Sequence, residues 1–173
     1  MTPILRRQRP GSQDLEAALA VHRAAFGRDD EARLVQRLRD DGDSALEWLA
    51  EVDGQVVGHV AYSPVRIEHG DDGRALGLAP VGVLPAWQRR GIGRALVDAS
   101  LAALRQDGQT PLVVVLGDPA WYVRSGFTPA SAAGLHDIYG GGDAFMALAL
   151  HPGGLDGRRG RVDYAPAFDL LTE

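Results

Sequence analysis

Along the first quarter of the chain the apolar positions fall three and four residues apart. Leu15, Ala18, Leu19, His22 and Phe26 form one stripe across Gln13–Phe26, and Gly27 follows it, so this segment is predicted to be an amphipathic helix. Ala32, Leu34, Val35 and Leu38 repeat the spacing over Asp30–Arg39, a second helix closed by Asp41-Gly42. The period then drops toward two. Ala45–Val52 alternates up to Asp53-Gly54, a two-residue hairpin signal, and Gln55–Ile67 follows as a long strand with Pro64 inside it. A polar turn at Gly70–Gly73 leads to another strand, Arg74–Val83, so the middle of the chain predicts an antiparallel meander. Pro3–Gln8 suits a short first strand.

Beyond Val83 the order becomes strand, helix, strand. Ile92, Ala95, Leu96, Ala99 and Ala103 share one face of a helix over Gly91–Leu104, which Asp107-Gly108 stops. Leu112–Leu116 is an unbroken apolar run, the pattern of a strand covered on both faces in parallel pairing. Asp118 then offers an N-cap and Pro119 a first helical position for a short helix to Ser125. Phe145–Leu150 makes a last strand. The tail His151–Glu173 is glycine-rich, yet Val162, Tyr164 and Phe168 give it a means of lying on the body. No linker or repeat divides the sequence, so the expectation is one domain over 1–150 with 151–173 packed on it.

Composition narrows the picture only in places. A chain of 173 residues with 45% hydrophobic and 24% charged content can bury a core without staples. It has no cysteine, which excludes disulfides, thiolate metal sites and a cysteine nucleophile. The net charge of -5 argues against general nucleic-acid binding. Met1–Gln8 leads into no apolar signal-like core, and no stretch approaches the ~18 apolar residues a membrane span needs. These features predict a soluble cytoplasmic protein with no membrane or nucleic-acid partner.

The chemistry concentrates in Leu84-Pro85-Ala86-Trp87-Gln88-Arg89-Arg90-Gly91-Ile92-Gly93-Arg94-Ala95: a strand end, a tight loop with two glycines, and a helix beginning at the loop. Unsatisfied N–H groups and the positive end of a helix dipole make an anion cradle there. Glycine lets backbone approach a phosphate that a Cβ would hold off. Arg89, Arg90 and Arg94 add local positive charge to an acidic protein, so the loop suits a diphosphate. A dinucleotide fingerprint would need a third glycine where Leu96 stands, and a P-loop would need G-K-[ST], which is absent. A helix that merely happens to begin with glycines is the plain alternative.

Gln88-Arg89-Arg90-Gly91-Ile92-Gly93, with the lead-in Val83-Leu84-Pro85-Ala86-Trp87, resembles the coenzyme loop of GCN5-related N-acetyltransferases (GNAT) at every fixed position. Tyr122-Val123-Arg124-Ser125-Gly126-Phe127 resembles that family's tyrosine four residues before a Gly-Phe pair. Gly58-His59-Val60, Gly77–Val83, Leu116-Gly117-Asp118-Pro119 and Phe145–Leu148 resemble its YhbS-like subgroup, so the likeness runs from about His22 through Phe168. The resemblance implies a mixed α/β fold, a mostly antiparallel sheet with one splayed parallel pair around acetyl-CoA and helices on its faces. It implies that Val81, Gly82 and Val83 pair with the pantetheine and that Gln88, Arg89, Arg90, Gly91, Ile92, Gly93 and Arg94 hold the diphosphate. It sets Asp118 and Tyr122 beside the coenzyme as well.

On this resemblance Tyr122 is the general acid for the departing thiolate, a task that suits a phenol with an ordinary pKa near ~10. Many family members place an asparagine seven residues before that tyrosine, where this chain has Val115. The base for the amine is not evident. His59 shares a strand face with Val57 and Ala61, which admits either a share in proton transfer or a satisfied core histidine. Glu47 and Glu51 share a strand face and read as solvated. His136, Asp137 and Tyr139 lie in a glycine-bounded loop able to close over an acceptor. Two functions follow: acetyl transfer from acetyl-CoA to a small-molecule or peptide amine, or a non-catalytic acyl-CoA sensor.

Overall fold

The structure, a computed structural model, describes residues 2–171. Its strands and helices run β1 (Ile4–Arg7), α1 (Asp14–Phe26), α2 (Asp30–Asp40), β2 (Leu46–Val52), β3 (Gln55–Pro64), β4 (Arg66–His69) and β5 (Leu76–Val83), then α3 (Ile92–Asp107), β6 (Leu112–Leu116) and α4 (Pro119–Tyr122). The chain continues through β7 (Thr128–Pro129), β8 (Leu135–His136), β9 (Phe145–Ala149) and β10 (Arg159–Asp163) to a 3-10 helix at Pro166–Leu171. The strands are mostly antiparallel, with β5 and β6 parallel as the mixed α/β reading expects and the short β8 and β10 parallel as well, and helices flank them. By contact the chain groups into two compact units.

The first unit holds the chain up to Ser63, Ala79–Ser100 and the segment from Pro166. In it β2 pairs antiparallel with β1 and with β3. Asp53 and Gly54, at φ 51 and 79, make the left-handed turn that hairpin signal foretold. α1 stops at Gly27, whose φ of 67 turns its N–H back onto the Arg23 carbonyl at 3.0 Å. Leu15 and Leu19 pack against Ala32 and Val35, which joins the apolar stripes of α1 and α2. Gly58 on β3 lets α3 approach closely, since a Cβ there would stand 2.9 Å from Leu96 and 3.3 Å from Ile92. Arg6 of β1 reaches Asp14 of α1 at 2.8 Å and also pairs with Glu51 of β2. The Arg6 guanidinium holds the Asp14 carboxyl well below the usual carboxylate range.

The second unit holds Pro64–Leu78 and Leu101–Ala165. β6 pairs parallel with β5 at Leu76↔Val113 and Gly77↔Val114, and antiparallel with β9 from Leu112↔Ala149 to Leu116↔Phe145. A second, three-stranded sheet runs β4-β10-β8. Its presence corrects one expectation: Gln55–Ile67 is two strands. Pro64 has no N–H to carry a ladder onward, the Val65 N–H turns to the Ala75 carbonyl at 3.1 Å, and Arg66–His69 pairs with the tail strand β10. Val65, Ile67, Leu112, Val114, Phe145 and Val162 bury together beneath these strands, with Tyr164 packed against them.

Gly77 exposes how tightly this unit closes. A Cβ there would lie 2.5 Å from the Tyr164 ring and 2.9 Å from Val65. Gly77→Ala is therefore expected to lower unfolding free energy by about 1–3 kcal/mol through overpacking, read from urea denaturation midpoints at constant slope. An unchanged midpoint would show that the ring can step aside.

Candidate active site

The loop singled out from the sequence is built from its strand outward. At the end of β5 the Leu84 N–H bonds the Val57 carbonyl at 2.8 Å, and a single 3-10 turn, Pro85–Trp87, redirects the chain. Gln88 folds back to donate from Nε2 to the Val83 carbonyl at 2.9 Å, which ties the loop to the strand it left. Arg89 and Gly91 both adopt left-handed backbone, φ 62 and 80. Alternating handedness of this kind gathers successive N–H groups into an anion-binding concavity. The first hydrogen bond of α3 runs from the Ala95 N–H to the Gly91 carbonyl at 3.0 Å, so the N–H groups of its first turn have no acceptor within the helix.

Electrostatics reinforce that concavity. Arg89 and Arg90 are exposed, and the Arg90 guanidinium stacks over Trp87 at 4.9 Å, which stiffens it beside the loop. Gly91 meets no atom within 4 Å on its Cβ side, so its space opens outward. Val81, Gly82, Val83, Gln88, Arg89, Arg90, Gly91, Ile92, Gly93 and Arg94 all lie in the first unit, and the left-handed backbone and exposed arginines of the loop suit an anion.

In the second unit Asp118 caps α4, accepting from the Ala120 N–H at 3.0 Å, with Pro119 at the first helical position. This one-turn helix, continued by a 3-10 turn at Val123–Ser125, carries Tyr122. The ring is buried edge-on to Phe127 at 5.7 Å and to Trp121 at 4.7 Å. It lies against Gly117, where a Cβ would come within 2.5 Å of it, so the glycine at the end of β6 fixes the ring's place. His136, Asp137 and Tyr139 belong to this unit too; the Asp137 carboxylate accepts the Gly141 N–H at 3.1 Å, and Tyr139 faces Tyr164 at 6.2 Å.

The structure departs from the sequence reading at Glu47. This residue is not solvated: it is 6% exposed, and its carboxylate accepts from Arg39 at 2.8 and 2.9 Å, from Ser44 at 2.6 Å and from Nε2 of His59 at 2.7 Å. The alternation that placed it outward could not show α2 bringing Arg39 over that face. Burial works to raise the Glu47 carboxyl, but the hydrogen bonds from His59, Arg39 and Ser44 prevail and lower it to about 2.

His59 is fully buried with both ring nitrogens engaged, the second by His22 of α1 at 2.7 Å. His22, also fully buried, lies against Gly82 of β5, whose added Cβ would stand 2.8 Å from its Nδ1. Burial and then His59 lower the His22 imidazole to about 2, against the pull of Glu47. Sequence reasoning placed His22 only in an apolar helical stripe. Its one available signal was a polar ring in that stripe.

The acetyltransferase (GNAT) family model matches residues 13–127. The chain is 40% identical over 152 residues to the Escherichia coli (strain K12) protein named Uncharacterized N-acetyltransferase YhbS, covering 87% of this chain and 90% of that one. It superposes on the crystal structure of E. coli YhbS in complex with CoA with a TM-score of 0.90 at 37% identity, over 98% of this chain and 93% of that one. A GNAT family acetyltransferase from Brucella melitensis in complex with acetyl-CoA gives a TM-score of 0.80 at 38% identity, over 96% and 98% of the two chains. Among the described residues no helix is long and apolar enough to cross a membrane, and no group of three or more His, Cys, Asp or Glu is placed to hold a metal ion.

The buried histidine and carboxylate make stability depend on pH in a defined direction. His22 moves from an ordinary 6.5 to about 2 on folding, so below 6.5 the unfolded chain takes a proton that the folded chain refuses. Glu47 moves from 4.5 to about 2, so below 4.5 the unfolded chain gains a second. Both contributions are present at neutral pH and lost on acidification. Unfolding free energy is expected to fall below pH 6.5 by about 1.4 kcal/mol per pH unit from His22, and more steeply below 4.5. His22→Gln should flatten the upper window, as measured by urea denaturation at stepped pH.

Proposed function

The chain belongs to the acetyltransferase (GNAT) family, and from that premise we propose that it transfers an acetyl group from acetyl-CoA directly to a primary amine of a small molecule or peptide. The observation that carries this reading is the loop Gln88–Arg94, with left-handed Arg89 and Gly91 opening α3 beneath two exposed arginines. The CoA and acetyl-CoA complexes of the two similar structures support the same coenzyme here.

On this reading the N–H groups from Arg89 to Arg94 bind the coenzyme's diphosphate, and helix polarity adds to the attraction. Val81, Gly82 and Val83 offer backbone to the pantetheine, and the Val83 N–H polarises the thioester carbonyl as charge develops on its oxygen. Acetyl-CoA supplies the acetyl group already activated as a thioester. Asp118 holds α4 so that Tyr122 presents its phenol to the coenzyme sulfur and gives up its proton as the thiolate leaves. With no cysteine in the chain there is no thiol to carry the acetyl group between the two substrates, which favours direct attack by the amine. Use of acetyl-CoA and a net charge of -5 fit a cytoplasmic enzyme without nucleic-acid or membrane partners.

Two measurements test the reading. Calorimetry with CoA is expected to give saturable heat, and Gly91→Val, which forces a side chain onto φ 80, should weaken binding at least about 10-fold, or 1.4 kcal/mol. Thiol release from acetyl-CoA with a panel of polyamines, aminoglycosides, amino acids and peptides should reveal turnover that Tyr122→Phe lowers about 100-fold without changing CoA affinity. No heat with CoA would overturn the coenzyme assignment. Heat without turnover for any amine would replace the enzyme by an acyl-CoA sensor.

A further inference from the structure

The acetyl-transfer reading leaves one step without an agent. A primary amine is protonated at neutral pH and must lose a proton before it can attack. The first unit contains a buried hydrogen-bond chain with one end unfinished. Glu47 of β2 accepts from His59 Nε2 at 2.7 Å, His59 Nδ1 meets His22 Nε2 at 2.7 Å, and His22 Nδ1 has no hydrogen-bond partner among the described residues.

The carboxylate sets the polarity of this chain. An ionised Glu47 only accepts, so a neutral His59 carries its proton on Nε2 and leaves Nδ1 bare. That bare nitrogen accepts from His22, which must then carry its own proton on Nε2. The lone pair therefore emerges at His22 Nδ1. A buried acceptor left unpaired is costly, and here it is enclosed against Gly82 of β5, where a Cβ would stand 2.8 Å from it. The groups facing His22 are His59 from β3 and, behind it, Glu47 from β2 and Arg39 from α2; β5 presents no titratable group at Gly82.

We propose that His22, His59 and Glu47 form a proton relay that deprotonates the acceptor amine by way of one water held over Gly82. Fully enclosed, His22 does not meet the amine itself, so all three are positioning residues acting through that water. The ammonium gives one proton to the water, which passes one to His22 Nδ1. The Nε2 proton of His22 moves to His59 Nδ1, and the resulting His59 imidazolium keeps its Nε2 proton against the ionised Glu47 carboxylate. One proton enters, the three side chains together gain one positive charge as His59 becomes an imidazolium beside the carboxylate, and no bond other than N–H and O–H changes. The lone amine that remains attacks the thioester.

The proposal rests on the acetyl-transfer reading, and one experiment separates the two. The rate of thiol release from acetyl-CoA is followed from pH 6 to 10 with the most active amine of the panel, for the full chain and for His22→Gln and the near-isosteric Glu47→Gln, each first shown to be folded and to bind CoA as tightly as the parent. Both variants are expected to lose about 100-fold in kcat at pH 7 and to recover most of that loss as pH rises through the amine's own pKa, where the free base needs no help. If His22→Gln does not fold, Glu47→Gln decides. A loss of the same size at every pH, or no loss, would overturn the relay and leave acetyl transfer standing. An absence of turnover by the parent chain would remove both. Nitrogen NMR of the histidine rings adds a readout independent of any acceptor: a proton on His22 Nδ1 at pH 7 would sink the relay.

Discussion

An ionised carboxylate inside a protein is tolerable only when its lone pairs are filled by donors, and Glu47 imposes that requirement on the first unit. Arg39 comes from α2, Ser44 from the turn before β2, His59 from β3, and His22, one hydrogen bond farther, from α1. These elements are tied together, because Glu47, His59 and His22 are buried and a shift would leave them unpaired away from water. Breaking such a network from one side costs about 3–5 kcal/mol, since the charge that remains is stranded. The same directionality that stabilises the carboxylate also decides which nitrogen of each imidazole is bare, so a constraint on folding becomes an arrangement for moving a proton.

Close approach of backbone to side chain is the second theme. Gly58, Gly77, Gly82 and Gly117 each stand where a Cβ would come within 3.0 Å of a neighbouring side chain. Their service differs by position. Gly58 admits α3 against β3, Gly77 seats the Tyr164 ring on β5, Gly82 makes room for the His22 ring against the strand, and Gly117 places Tyr122 at the end of β6. A sequence reader sees four glycines in or beside strands, which by themselves signal only weaker strands or bulges. The partner that makes each one necessary lies elsewhere in the chain, 5 to 87 residues away in sequence.

Much of the fold was legible because it is local. The stripes of α1 and α2, the Asp53-Gly54 hairpin, the apolar run Leu112–Leu116 and the Asp118-Pro119 helix start are all set by neighbours within a few residues, and each stands where its pattern placed it. The glycine loop before α3 is also local: strand end, tight loop, left-handed glycine and helix start occupy a dozen consecutive residues, so its backbone course could be read before any tertiary contact was known. The long strand through Pro64 failed for a matching reason. Its continuation as β4 pairs with β10, some ninety residues later, and no periodicity near Pro64 records that partner.

What the sequence by itself determined, then, is the run of elements from α1 to the β2–β3 hairpin and from α3 to α4, including the glycine loop before α3 and the short helix bearing Tyr122, because hydrogen bonds along consecutive residues and the φ freedom of glycine act within a few positions. Tertiary structure alone decided that Glu47 is buried, that His59 is held at both nitrogens and that His22 Nδ1 meets Gly82. Those outcomes depend on which distant donor fills a lone pair, and a strand's alternation says which way a side chain points but not what another helix lays over it.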